Sequence, residues 1–167
     1  MLERHILSIL VKNHFGVLSR ISGLFSRRGY NIDSLTVGVT EDPTLSRMTI
    51  SVYTDKEEVI QIINQVAKIY DVVKVVELFP ESSVLREIVL IKTTATPDKR
   101  AEITNIVDIF RASIVDVANN SMIIQITGDE SKVQAIVSML EPYGIKEIVR
   151  TGITALCRGG NELKKVK

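Results

Sequence analysis

Two glycine-centred stretches near the amino terminus carry residue types suited to holding a small polar molecule. They are Asn13-His14-Phe15-Gly16-Val17-Leu18-Ser19-Arg20 and Arg28-Gly29-Tyr30-Asn31-Ile32-Asp33-Ser34. Between them, Val17, Leu18, Ile21, Leu24 and Phe25 recur at helical spacing. Gly16 therefore opens a helix, where free backbone N–H groups and the positive end of the helix dipole can receive a carboxylate or phosphate. Asn13 and Asn31 bracket that helix, and each can offer an amide to the same ligand. The chemistry implied is binding of a small anionic metabolite. The same residues also suit a plainer role: Gly16 in a tight turn, and Asn13 and Asn31 satisfying their own backbone. His14 reads as a solvent-facing loop residue, and Arg20, Arg27 and Arg28 as a solvated helix face.

Catalytic sets do not assemble from this composition. Only His5, His14 and Cys157 are available to a nucleophile–base pair, which leaves no Ser/His/Asp or Cys/His constellation. Asp33 and Asp116 occupy similar places in two halves of the chain, but one carboxylate per half is no acid/base pair. Asp98, Asp108, Asp129 and Glu130 read as cap, first-turn and surface charges. A phosphate-cradling Walker loop and a dinucleotide GxGxxG are both missing.

Bulk composition narrows the class further. Apolar residues make up 45% of 167, so a packed core is expected. Twenty-one Lys plus Arg balance twenty Asp plus Glu, which gives no electrostatic case for nucleic acid or an anionic membrane. A single cysteine excludes an internal disulfide, and two histidines make a Cys/His metal site a poor expectation. No apolar run approaches the roughly 18 residues of a membrane helix, and the first residues lack signal-peptide blocks. A cytoplasmic location is the expectation.

The elements that must position the glycine turn repeat. Strands are expected at His5–Val11, Asn31–Val39, Arg47–Tyr53 and Val72–Leu78, then at Glu87–Thr93, Ser113–Val117, Met122–Thr127 and Lys146–Arg150. Helices are expected at Gly16–Arg28, after Thr54-Asp55-Lys56-Glu57 (capping-box spacing), from Thr96-Pro97, and after Gly128-Asp129. Each half reads β-α-β-β-α-β, so the expected fold is α+β: two tandem ferredoxin-like domains with helices on one face of each antiparallel sheet. Expected boundaries are 1–80, 81–158 and a basic tail at 159–167, with Phe79-Pro80-Glu81-Ser82-Ser83 as linker. The first strand is apolar on both sides, with Ile6 and Leu10 opposing Leu7, Ile9 and Val11. Its second face needs cover, for which a partner protomer is the simplest candidate.

The turn sequence Asn-x-x-Gly-Val-Leu-x-Arg followed by Arg-Gly-Tyr-Asn-Ile-Asp-Ser-Leu resembles the ACT domain of acetohydroxyacid (acetolactate) synthase small regulatory subunits. Further similarity runs through Leu45-Ser46-Arg47-Met48-Thr49-Ile50, Arg86-Glu87, Phe110 to Val117, Glu147 to Gly152 and Arg158-Gly159. One departure is Phe15, where the family commonly has proline or a small residue. The resemblance implies a non-catalytic subunit, without a cofactor of its own, that activates a catalytic large subunit carrying thiamine diphosphate, a divalent metal and flavin. It implies feedback inhibition in branched-chain amino-acid synthesis, with valine as the expected effector, held between ACT domains of a homodimer. On that reading the effector carboxylate meets backbone N–H groups from Gly16 to Leu18, Asn13 and Asn31 (the latter from the same chain or from the partner chain) orient its polar end, and Val17, Leu18 and Ile32 wall its side chain. A free-standing ACT-type sensor serving another enzyme or a transcription factor is the alternative. An RNA-binding ferredoxin-like domain is disfavoured, since Met48, Ile50, Val52, Met122, Ile124 and Ile126 stand where stacking aromatics belong.

Overall fold

In a computed structural model, which describes residues 1–163, the apolar first strand lies at the centre of a sheet. Strand β1 (Glu3–Lys12) is hydrogen-bonded antiparallel to β3 (Leu45–Thr54) on one side and β4 (Val72–Leu78) on the other. Strand β2 (Ser34–Val39) forms the edge beyond β3, giving the order β2-β3-β1-β4. Strand alternation sends Leu7, Ile9, Val11, Met48, Ile50 and Val52 to one face. Helices α1 (Val17–Arg28) and α2 (Lys56–Val66) cover that face with Val17, Ile21, Phe25, Val59, Ile62 and Val66. The edge of Tyr30 meets the ring of Phe25, with centroids 6.2 Å apart, and closes the end of this core.

The second half repeats the plan. Strand β5 (Ser83–Thr94), helix α3 (Arg100–Ile109), strands β6 (Ser113–Ala118) and β7 (Ser121–Gly128), helix α4 (Glu130–Leu140) and strand β8 (Ile145–Arg150) form a sheet of order β6-β7-β5-β8. Its core joins Val89, Ile91, Met122, Ile124 and Ile126 of the strands to Ile103, Ile106, Val107, Val133, Ile136 and Leu140 of the helices. Two antiparallel β-α-β-β-α-β modules of the ferredoxin-like type are therefore present, as the hydrophobic periods predict.

Local details differ from expectation where side-chain chemistry competes. The cap of α2 is Asp55, whose carboxylate accepts from the Glu58 N–H at 2.9 Å. Thr54, expected as the cap, instead donates its hydroxyl to the Glu58 carboxylate. Asp129 caps α4 in the same way, accepting from the Lys132 N–H at 2.9 Å. Helix α3 starts at Arg100, after a turn over Thr96–Lys99, three residues later than the proline suggests. Strand β2 starts at Ser34, because Asn31–Asp33 are spent leaving the helix.

The larger difference concerns the carboxyl-terminal segment. The chain divides into one compact unit of Met1–Leu85 together with the segment from Ile153 onward, and a second of Arg86–Gly152. Residues Ile153–Arg158, expected in the second domain, thus belong with the first, and so does the described part of the expected tail, 159–163. The rest of that tail, 164–167, lies outside the described residues. A short strand β9 (Thr154–Cys157), absent from the expected set, pairs with β5. Ile153 and Ala155 pack on Ile6 and Leu78, and Leu163 packs on Leu10 and Leu45. These are the far-face residues of β1 and its neighbours, so the chain's own end supplies cover there. Burying each large aliphatic side chain of that layer is worth roughly 1.5–3 kcal/mol. The strap is also tied by hydrogen bonds, from Thr36 Oγ1 to the Ile153 carbonyl at 2.7 Å and from the Arg158 N–H to the Ser82 carbonyl at 2.8 Å.

Candidate functional site

Gly16 sits at the N-cap of α1 with φ +87° and ψ −8°, a left-handed conformation that L side chains adopt only with strain. Its carbonyl accepts the first intrahelical bond, from the Arg20 N–H at 3.1 Å. The N–H groups of Val17, Leu18 and Ser19 precede that bond, and Gly16 has no side chain to cap them. An uncapped helix start with its positive dipole end toward solvent is the geometry that receives an oxyanion. Phe15 and Leu18 flank it as exposed apolar side chains, Phe15 with its whole ring in solvent. The other end of α1 is closed by Gly29 at φ +73°, where the Tyr30 N–H reaches back to the Phe25 carbonyl at 3.0 Å.

The expected site residues have distinct placements. Asn13 lies in the β1–α1 loop, its N–H donating to the Thr44 carbonyl at 2.7 Å and its amide nitrogen to the Pro43 carbonyl at 2.9 Å. Asn31 lies in the α1–β2 loop and donates to the Asp33 carboxylate at 3.1 Å. Both side chains are exposed. Val17 is buried against the helix-side core and Ile32 packs on its margin, so Leu18 is the member of the apolar trio with substantial free surface. Gly16, Val17 and Leu18 therefore form one backbone feature, with Asn13 just before it.

Residues read as solvated turn out to brace this turn. Asp71, in the loop before β4, is only 1% exposed and accepts from His14 Nε2 at 2.8 Å and from the Arg20 guanidinium. The Asp71 carbonyl also accepts from the Lys12 N–H at 2.9 Å. Burial alone would push this carboxyl upward, but the bonds and charges of Arg20 and His14 outweigh it and hold Asp71 below its ordinary value. Lys12 Nζ lies 3.7 Å from the centroid of the neighbouring Tyr70 ring. The β1–α1 turn is thus fastened on one side to the β2–β3 loop by Asn13 and on the other to the α2–β4 loop by Asp71. Sequence reasoning missed this brace because His14 and Asp71 stand 57 residues apart with no shared pattern. Among the described residues, no three His, Cys, Asp or Glu side chains converge as a metal site.

Residues 7–74, which span the Gly16 turn and its brace, match the model of the acetohydroxyacid synthase small subunit-like ACT domain. Residues 86–159 match the model of the small subunit of acetolactate synthase. The chain belongs to the acetolactate synthase small-subunit family. A probable acetolactate synthase small subunit of Archaeoglobus fulgidus is 52% identical over 95% of this chain and 99% of its own length. The acetolactate synthase small subunit of Bacillus subtilis is 47% identical over 93% of this chain and 91% of its own. The crystal structure of the acetolactate synthase small subunit from Thermotoga maritima superposes with a TM-score of 0.85 at 44% identity, covering 95% of this chain and 99% of that one. Membership in the small-subunit family places the Gly16 turn within an ACT-type module, and it implies a catalytic large subunit as partner. No described helix is long and apolar enough to cross a membrane.

Proposed function

We propose that this chain is the regulatory small subunit of an acetolactate synthase, raising the activity of the catalytic large subunit and transmitting feedback inhibition by valine. The observation that carries the reading is the uncapped, braced helix start at Gly16 inside an ACT-type module. A carboxylate seated there takes hydrogen bonds from the Val17, Leu18 and Ser19 N–H groups, with charge-assisted strength. Asn13 lies beside that helix start, whereas Asn31 lies past the far end of the 12-residue α1 and would reach the ligand from the second copy of a homodimer; Leu18 offers the aliphatic side chain a surface. The apolar edge around β2, where Val37 and Val39 are exposed, suits a second ACT module, and a homodimer would enclose the ligand. The chain itself does no chemistry in this reading. Thiamine diphosphate, the divalent metal and flavin reside in the large subunit, and the small subunit acts by favouring its active arrangement.

Linkage then fixes the sign of control. If the small subunit stabilises the active arrangement and valine favours a different packing of the ACT pair, the two must oppose each other. A coupling of about 1–3 kcal/mol suffices for partial inhibition. The test is reconstitution of purified large subunit with this chain, following acetolactate formation from pyruvate with and without valine. Activation by the chain and its partial reversal by valine are expected. In Asn13→Ala and Asn31→Ala the reversal should need roughly tenfold more valine. Equal rates with and without the chain would overturn the regulatory reading, and unchanged valine sensitivity in both variants would overturn the site.

A further inference from the structure

The sheet face beneath the strap holds a cavity that the helix-start site does not use. It has a volume of about 290 Å³ and is lined by residues 36–40 of the edge-strand region (Val37 and Val39 among them), by Glu41, by Arg47 and Thr49 of β3, and by Thr154 and Leu156 of β9. Strand register explains how it forms. Gly38 is the cross-strand partner of Arg47, and Leu10 flanks Arg47 on the other side. A side chain at position 38 would fill the space beside the guanidinium, and a Cβ built there meets nothing within 4 Å. Arg47 is only partly exposed, and among the described residues it has no ion pair or hydrogen-bond partner of its own. Thr36, Thr49 and Thr154 share the cavity wall with it, together with the Glu41 carboxylate and the apolar Leu156. Thr36 already donates to the Ile153 carbonyl, which leaves its oxygen as an acceptor.

An unpaired guanidinium in a solvent-open hollow suits a planar oxyanion, because its N–H fork matches a carboxylate in two parallel bonds. The hydroxyl row adds acceptors and donors for a polar group on the next carbon, and the volume sits at the small end for ligand pockets. We propose that this cavity binds a short carboxylate with a polar α-substituent, its carboxylate on Arg47 and its α-group on the threonine hydroxyls. The site lies on the sheet face opposite α1 and α2, so it is separate from the Gly16 turn. It does not depend on the regulatory reading.

The test is titration calorimetry of the full chain with pyruvate, L-lactate, L-alanine and inorganic phosphate. At least one of the three carboxylates should bind with a Kd near or below about 1 mM, and Arg47→Gln should weaken it at least tenfold. Gly38→Val, which fills the hollow while keeping the charge, should do the same, and its unchanged thermal midpoint would show that the fold survives. Arg47→Lys should fall between wild type and Arg47→Gln. Asn13→Ala and Asn31→Ala should leave this binding intact. The proposal is overturned if none of the carboxylates binds in that range, or if phosphate binds more tightly than all of them. It is also overturned if affinity survives both Arg47→Gln and Gly38→Val, or is lost in the asparagine variants instead.

Discussion

Replacing Ile153 and Leu163 by alanine tests whether the carboxyl-terminal strap holds the first unit together. Ile153 is 6% exposed and packs with Ile6, Leu78 and Ala155, while Leu163 is 7% exposed and packs with Leu10 and Leu45. Truncating a buried Ile or Leu to Ala costs about 2–5 kcal/mol. A strap lying on a surface can relax into the gap, which argues for the lower end, about 2 kcal/mol for Ile153→Ala. Leu163→Ala should cost less, because the described segment after β9 has no regular secondary structure and can open locally without unfolding the sheet. The two residues sit in separate clusters that share Val76 as a neighbour, so a coupling of about 0.5 kcal/mol or more between them is expected. For a unit of this size, 2 kcal/mol corresponds to a midpoint lowered by roughly 8–16 °C. Calorimetric scans should show the loss in the transition of the first unit and leave the second in place. Because the cover comes from the same chain, the loss should be equal at low and high protein concentration. A neutral Ile153→Ala would refute the stabilising role, and a loss that disappears at high concentration would show that a second copy supplies the cover instead.

Other outcomes follow from the helix-start turn. Gly16→Ala meets no steric obstacle but must hold φ +87°, and should cost about 1–2 kcal/mol by chemical denaturation. Asp71→Asn removes the anion that His14 and Arg20 share, and should raise hydrogen-exchange rates in the β1–α1 loop. The Asp71 carboxyl is held below its ordinary value in the folded chain, so its contribution is fully present above about pH 4, the unfolded value. That contribution is lost as pH falls through the lower folded value. Denaturation midpoints measured from neutral to strongly acid pH should therefore drop less steeply in Asp71→Asn than in the parent, and identical acid profiles would refute the brace.

The fold was legible because its signals are short-range and repeated. Leu7, Ile9 and Val11 against Ile6 and Leu10, and the helical spacing of Val59, Ile62 and Val66, are local patterns that tertiary structure did not override. The glycine turn was legible for a similar reason, since a helix start preceded by Gly16 has few conformational options. Cover for the far face was correctly required, but its source was not visible. Ile153, Ala155 and Leu163 are too few and too irregular to announce a strand. Asp71 escaped notice because an aspartate before a strand ordinarily marks a turn, and its burial depends on two cations brought from the other side of the module.

The return of the strap has a consequence for biogenesis. The first sheet is complete in hydrogen bonds once Leu78 has left the ribosome, yet Ile6, Leu10, Leu45 and Leu78 await residues some 75 to 153 positions later in the chain. At about 5–20 residues per second, synthesis of that remainder occupies several seconds or more. During that interval the nascent module displays an aliphatic surface that the finished protein hides, and such surfaces invite chaperones or neighbouring chains. Ribosomes that stall or terminate before Ile153 would leave it open permanently, so residues translated late act as the seal on residues folded early.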